Sequence, residues 1–343
     1  MLPTFISSKF SNRILRDSSL NQAEPPREHK PRLGISQCLL GEPVRYDGGH
    51  KRDPFLTDVL TPFVEWIPVC PEVEAGLGTP REAMRLTGNS DSPRLVTIHT
   101  KIDHTRLLYQ YSRRRIHELH VHDLDGYIFK KNSPSCGHHR VKVYNEKGQP
   151  SQQGTGIFST VFQQAFPLLP IEEEGHLNNG IIRENFIERI FGYRRWKNLL
   201  QHSRLTRSGL VQFHVHHKYL LLTHSRPYYQ SLEQLVAQAE HYTPRELFAR
   251  YGPLFRDALK VKATVNKHVK VLQHLARNLK NHLRQAERAE LQENILNYHR
   301  QLIPLAVPLT LIKHYVRLLP ISSLIDQVYL NPYPQELMLR NHV

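Results

Sequence analysis

Three cysteines, Cys38, Cys70 and Cys136, are the only thiols in the 343-residue chain. Each follows a short apolar run: Cys38 comes after RLGIS, Cys70 ends EWIPV, and Cys136 lies beyond GYIFKK in NSPSCGHH. Three thiols are too few for a disulfide framework and cannot pair completely. Brought to one point as thiolates they hold zinc, with His138, His139 or His50 as a fourth donor. They equally suit an iron–sulfur cluster with one iron left without a protein ligand. Three unrelated buried thiols, acting as small apolar groups, are the plain alternative. Gly and Pro flank each cysteine, which lets backbone approach closely. Polar groups share these loops: Ser36 and Asp47 near Cys38, Glu72 and Glu74 near Cys70, Ser133 near Cys136. A carboxylate beside a Lewis-acidic metal activates water as a general base, although a Glu at Glu72 also suits a helix cap or a salt bridge. Ser133-Pro134-Ser135 is turn sequence as well.

A sheet is the element that can gather thiols 32 and 66 residues apart. RLGIS, EWIPV, LVTIH and GYIFK predict short strands, rich in β-branched and aromatic residues. Residues 54–63 and 105–119 have helical spacing, and Gly154-Thr155-Gly156 opens a further apolar helix, GIFSTVFQQAF. Alternating strands and helices predict an α/β fold with a parallel, Rossmann-like sheet, whose strand C-termini share one edge. Residues 1–30 are polar, with Pro25 and Pro26, and are expected to form a disordered tail. Residues 167–180, with Glu172, Glu173 and Glu174, predict a polar break. From residue 181 long amphipathic helices predict a C-terminal all-α domain. The expected organisation is therefore a tail (1–30), an α/β domain (31–180) and a helical domain (181–343).

Charge adds a partner. Lys and Arg number 46 against 31 Asp and Glu, a formal net charge of +15, and residues 169–343 carry +10 of it. Clustered cations bind polyanions by releasing condensed counterions. Residues 260–284 contain no acid, and at 100° per residue Val261, Val265, Val269, Leu272, Leu275, Leu279 and Leu283 share an arc of about 120°. Lys260, Lys262, Lys267, Lys270, Arg277, Lys280 and Arg284 fall outside it. One helix with a docked apolar face and a cationic outer face is expected, with Lys260, Lys267, Lys270, Arg277 and Arg284 as phosphate contacts. Arg113, Arg114 and Arg115 extend that expectation to the first domain. His214, His217 and His224 recur near Lys218 and suit packing or RNA contact, or a second metal. The chain has no P-loop, G-x-G-x-x-G, C-x-x-C or H-E-x-x-H motif, so neither a nicotinamide nor a flavin cofactor is expected. No apolar run approaches the roughly 20 residues of a membrane span, and residues 1–30 lack the apolar centre of a secretory signal. A cytoplasmic protein without a membrane partner is expected; oligomeric state leaves no mark in the sequence.

GISQCLLGEPVRYDGGHK, VCPEVEAGLGTPREAMRL, KKNSPSCG, GTGIFS and LPIEEEGHLNN together resemble the thiouracil desulfidase family over residues 31–180. LVQFHVHHKYLLLTHS, KHVKVLQHL, LIPLAVPLTLIKHY and QVYLNPYPQELMLRN resemble the helical YbgA-type domain over residues 181–341. The fusion is similar to bacterial desulfidases of 4-thiouridine in tRNA. The resemblance implies a [4Fe–4S] cluster on Cys38, Cys70 and Cys136, with catalytic roles for Glu72 and Ser133. It also implies a non-redox hydrolysis at the free iron that turns 4-thiouridine into uridine and hydrosulfide. Desulfidation of free thiouracil or thiouridine, and a non-catalytic iron–sulfur RNA-binding protein, are the alternatives.

Overall fold

The computed structural model describes residues 30–145, 147–201, 205–319 and 321–341; apart from Lys30, the expected tail lies outside them. RLGIS forms β1 (Arg32–Ser36), buried from Leu33 onward, as a run with apolar residues on both faces does in a sheet covered on both sides. EWIPV forms β2 (Glu65–Val69). Residues 84–87 and 94–97 form β3 (Met84–Thr87) and β4 (Arg94–Thr97). Then follow α1 (Thr105–Val121), β5 (Gly126–Phe129), β6 (Val141–Tyr144), β7 (Pro150–Gly154), α2 (Ile157–Ala165) and β8 (Ile171–Glu173). The expected helix at 54–63 is a wide π-type turn, Phe55–Leu60, followed by a tight one, Thr61–Phe63.

Sheet A has the order β2-β1-β5-β8 and is parallel throughout. Gly34 permits the close contact at its centre: a Cβ there would lie 2.2 Å from the Tyr127 ring on β5. Two sequence expectations change. LVTIH does not join sheet A; its β4 pairs antiparallel with β3 in a second, mixed sheet of order β4-β3-β6-β7. The turn at Gly88, in the left-handed region at φ 91°, folds β4 back on β3 before any helix can intervene. The expected polar break at 167–180 contains β8, an edge strand of sheet A. Glu173 and Glu174 are buried because donors meet them: Glu173 Oε1 accepts the His138 and His139 amides at 2.8 and 3.0 Å, and Glu174 Oε2 the Lys131 amide at 2.7 Å.

The helical part comprises α3 (Gly180–Gln201), α4 (Arg207–His224), α5 (Arg226–Ala237), α6 (Pro244–Lys260), α7 (Val265–Leu279), α8 (Gln285–His299) and α9 (Ala306–Leu318). The single helix expected over 260–284 is interrupted. α6 ends at Lys260, and Thr264 caps α7 through its hydroxyl on the Lys267 amide at 3.4 Å. The apolar arc survives the break, with Val269, Leu272, Leu275, Leu279 and Leu283 buried in the helical core.

Sheet A is covered on both faces. On one, Ile67, Val69, Tyr127 and Phe129 meet Leu108 and Tyr111 of α1 and Phe158 and Phe162 of α2. On the other, Leu33, Ile35 and Ile128 meet Phe186, Ile187 and Ile190 of α3, with Tyr333, Leu337 and Leu339 beyond α9. The second face is thus covered from the helical part, and residues 31–343 form one compact body. An ionic seam reinforces the contact. Asp125, fully buried before β5, accepts the Arg32 amide at 2.8 Å and faces Lys197 Nζ at 2.9 Å and Arg194 Nη1 at 3.4 Å from α3. No helix among the described residues is long and apolar enough to cross a membrane.

Candidate active site

β2, β1 and β5 are neighbours in sheet A, so their C-terminal ends stand side by side, about 5 Å between successive strands. The loops leaving those ends carry Cys70, Cys38 and Cys136, which line one cavity of about 470 Å³ together with Glu72, Ser133 and Ser135. This is the crevice outside the strand ends where open parallel sheets bind ligands. Cys38 sits in a tight turn directly after β1, its carbonyl accepting the Lys51 amide at 2.9 Å. Cys70 is positioned by Glu74, whose Oε1 accepts its amide at 2.7 Å. Glu74 Oε2 is in turn held by Tyr111 Oη at 2.7 Å and Arg115 at 3.3 Å, so Glu74 and Arg115 are committed to structure. The Cys136 loop is folded by Ser133, whose Oγ accepts the Ser135 and Cys136 amides at 3.3 and 3.1 Å. The N-terminus of α2 has no side-chain cap; its Ile157 and Phe158 amides donate instead to the Pro134 and Ser135 carbonyls at 3.2 and 2.9 Å. Gly156 makes that approach possible, since a Cβ there would lie 2.5 Å from the Ser135 carbonyl oxygen.

Burial dominates the electrostatics of the thiols. It pushes Cys38 up to about 11 against the pull of Lys130. Cys70 is also raised by burial, and Cys136 is raised by burial and then by Cys70. All three are poor thiolates unless a cation joins them. Among the described residues, no three His, Cys, Asp or Glu side chains converge as ligands of a single metal ion.

Glu72 has the most specific surroundings in the cavity. Ser135 Oγ donates to its Oε1 at 2.5 Å, and Arg81 Nε donates to its Oε2 at 2.8 Å, with a second, shorter contact from Nη2. Arg81 is anchored by donating to the carbonyls of Gly78 and Val44 at 2.8 and 3.1 Å. Ser133 and Ser135 hydroxyls lie 3.0 Å apart, so the hydroxyls and the carboxylate form a chain. Sequence reasoning identified Glu72 and Ser133; it missed Ser135, the hydroxyl that touches Glu72, and Arg81, nine residues along and separated by a Gly-rich loop. The signal for Ser135 was its place directly before Cys136. Lys130, paired with Glu174, was missed as the cation facing Cys38. Ser36, expected near the site, accepts the Lys130 amide at 2.9 Å and ties β1 to β5. Asp47 is exposed and paired with Arg45 at 3.3 Å.

The expected cationic set divides. Lys260 pairs with Asp257 at 2.9 Å and Arg284 with Glu287 at 2.5 Å, both exposed. Lys267 is spent on the carbonyls of His224 and Lys262 at 2.6 and 2.9 Å. Lys270 and Arg277 line a groove of about 760 Å³ with Lys218 and Arg226, and Glu233 is its single carboxylate among the described residues. Of the expected histidines of α4, His214 and His217 are packing residues, and His224 also meets buried Glu188 at 3.1 Å. His214 reaches Tyr251 Oη at 3.1 Å, His217 the Phe213 carbonyl at 2.7 Å, and His224 the Val261 carbonyl at 2.7 Å.

Comparison with known proteins finds two families along the chain. Residues 33–174 match the family model of 2-thiouracil desulfurase. Residues 218–334 match that of a protein of unknown function, DUF1722. The uncharacterized protein YbgA of Escherichia coli (strain K12) is 32% identical over 154 residues, 45% of this chain and 90% of YbgA. Among solved structures, the [4Fe-4S]-dependent thiouracil desulfidase TudS is 27% identical over 43% of this chain and 94% of its own, with a TM-score of 0.37.

Proposed function

The chain belongs to the YbgA family through its helical part and carries a 2-thiouracil desulfurase domain ahead of it, and on that footing we propose a cytoplasmic desulfidase acting on 4-thiouridine in tRNA. The observation that carries the reading is one cavity at three adjacent strand ends, where the buried Cys70 and Cys136 and the half-buried Cys38 stand beside a clamped Glu72.

The donor set fits a [4Fe–4S] cluster on Cys38, Cys70 and Cys136. The thiols are soft and desolvated, Cys70 raises both of the others, and a cationic cluster relieves that cost. They ring a cavity and do not close on a point, which suits a cluster better than one zinc ion. When bound, a three-cysteine cluster supplies a soft Lewis acid with one open position, suited to a thiocarbonyl sulfur.

The protein's own groups account for the hydrolysis. Arg81 occupies Glu72 Oε2, leaving Oε1 as the atom that takes a proton from the attacking water. A C–O bond forms at C4 of the base and the C–S bond breaks. The sulfur leaves as hydrosulfide and no electron is transferred. The proton that Glu72 Oε1 takes from water passes along Ser135 Oγ and Ser133 Oγ to the departing sulfur, the second water proton leaves to solvent, and Glu72 returns to its carboxylate form. Residues 31–180 serve as the desulfidase domain, and residues 181–343 hold the tRNA backbone, chiefly through Lys270 and Arg277 in the cationic groove, with Lys260 and Arg284 at the exposed helix ends and Lys267 as a buttress.

The test is anaerobic incubation of the reconstituted protein with bulk bacterial tRNA, following the near-ultraviolet band of 4-thiouridine and hydrosulfide release. Loss of the band without a stoichiometric reductant, abolished in Glu72→Gln and Cys136→Ala, supports the reading. Turnover of free thiouracil with tRNA untouched points to a free-base desulfidase. RNA binding without any turnover points to a non-catalytic iron–sulfur protein.

A further inference from the structure

Sheet B presents a face that the hydrolysis leaves unused. Successive side chains of a strand alternate between faces. On β3 and β6 the pairs Leu86–Val143 and Thr87–Tyr144 are in register. Leu86, Val141 and Val143 are buried, so Arg85, Lys142 and Tyr144 share the opposite face. Together with Met84, Leu86 and Val141 they line a second cavity of about 320 Å³. It adjoins the cysteine cavity, because Met84, Ile98, Asn132 and Pro134 line both.

The chemistry of this shelf is distinctive. The Arg85 guanidinium lies 5.1 Å from the centroid of the Tyr144 ring, and its Nε is buried without a hydrogen-bond partner among the described residues. Lys142 is exposed and has no carboxylate partner among the described residues. No carboxylate occurs among the described residues lining the shelf. Two cations, an aromatic ring and the Asn132 amide form the combination that grips single-stranded nucleic acid, with cations on phosphate and rings or guanidinium planes on bases.

We infer that this shelf is a nucleotide subsite that holds the phosphate and base flanking the thiolated residue while that residue occupies the cysteine cavity. The inference rests on the desulfidase reading of that cavity. Arg85 and Lys142 take the phosphate, and Tyr144 stacks the flanking base. The subsite gives a strand of RNA more contact than a free base can reach, so it separates polynucleotide from nucleobase substrates.

The experiment uses the reconstituted full chain and its Lys142→Glu and Tyr144→Ala variants, chosen because Lys142 is exposed and Tyr144 half-buried. Two quantities are read: the Kd for a non-thiolated uridine trinucleotide, and the kcat and KM for free 4-thiouracil and for a trinucleotide with a central 4-thiouridine. Stacking of one base is worth about 1–3 kcal/mol, or roughly five- to 150-fold. Tyr144→Ala is therefore expected to raise the trinucleotide Kd and KM about fivefold or more, and Lys142→Glu to raise both by reversing the charge at the phosphate, with 4-thiouracil kinetics unchanged. Trinucleotide binding and KM that stay within twofold of the parent in both variants overturn the subsite. A parent protein that binds the trinucleotide but turns over neither thiolated compound refutes the desulfidase reading separately, and the variants' Kd values still decide whether the shelf binds nucleotide.

Discussion

Replacing Lys197 by Met tests how firmly the helical part is joined to the sheet that carries the cysteines. Lys197 Nζ donates to the carbonyls of Asp123 and Leu124 at 2.7 and 3.1 Å and stands 2.9 Å from Asp125 Oδ1. Asp125 is fully buried, and burial lifts its carboxyl above the usual range despite Lys197 and Arg194. Methionine fills much the same volume, so packing is kept and the loss is electrostatic. Arg194 at 3.4 Å and the Arg32 amide remain, yet the nearest cation is gone, and removing one partner of a buried pair costs about 3–5 kcal/mol. That is a large fraction of the roughly 5–15 kcal/mol that holds an ordinary fold. Asp125→Asn removes the charge that burial opposes and leaves Lys197 with Asp123, whose Oδ1 lies 2.8 Å away, and the two carbonyls. The double variant, with neither charge buried, is expected to be more stable than the sum of the single losses by about 1–3 kcal/mol. Urea denaturation followed by far-ultraviolet circular dichroism supplies the free energies. A Lys197→Met loss below about 1 kcal/mol, or strictly additive losses, would refute the seam as an energetic contact.

Further outcomes follow from the cavity and the helical core. Gly156→Ala forces a Cβ to within 2.5 Å of the Ser135 carbonyl oxygen; the Cys136 loop must move, and iron bound per chain after anaerobic reconstitution should fall well below that of the parent protein. Ser135→Ala removes the hydrogen bond to Glu72 Oε1 and is expected to lower kcat about 100-fold or more with little change in KM, the share a positioned proton-transfer group commonly supplies. His214 is pulled down to about 4 by burial, below the ordinary histidine value. The unfolded chain therefore binds the proton first, and the stability of the neutral form, present above pH 6.5, is lost as pH falls towards 4. The shift is worth about 3 kcal/mol, and a His214→Gln variant should lose correspondingly less stability than the parent between pH 7 and pH 4.5 in urea titrations.

The parts of the fold and site that the sequence disclosed share a physical cause. Cys38, Cys70 and Cys136 follow short runs rich in β-branched and aromatic residues, and parallel strands put their ends together. Apart from LVTIH, sheet B was hidden because its strands mix charged and polar with apolar residues, as in VKVY and PSQQG. β8 was hidden because Glu173 and Glu174 look solvated in a string of letters, whereas the amides of His138, His139 and Lys131 satisfy them inside. The break before α7 was hidden because Val261 and Val265 keep the helical phase on either side of the Thr264 cap. Charge counting could not tell Lys270 from Lys267, which lines the same groove but is spent on carbonyls. Arg81 and Ser135 became legible only once the chain closed around Glu72.

The face of sheet A shared with α3 has a thermodynamic corollary. Leu33, Ile35 and Ile128 are covered by Phe186, Ile187 and Ile190, so opening either half strips the other of its shelter, and the two are expected to melt in a single transition. Any ligand that prefers the folded state at either end then raises the melting temperature of the whole by mass action. A polyanion seated on Lys270 and Arg277 would protect the cysteine loops from unfolding, and occupancy of the cysteine loops would protect the groove, without either end changing shape.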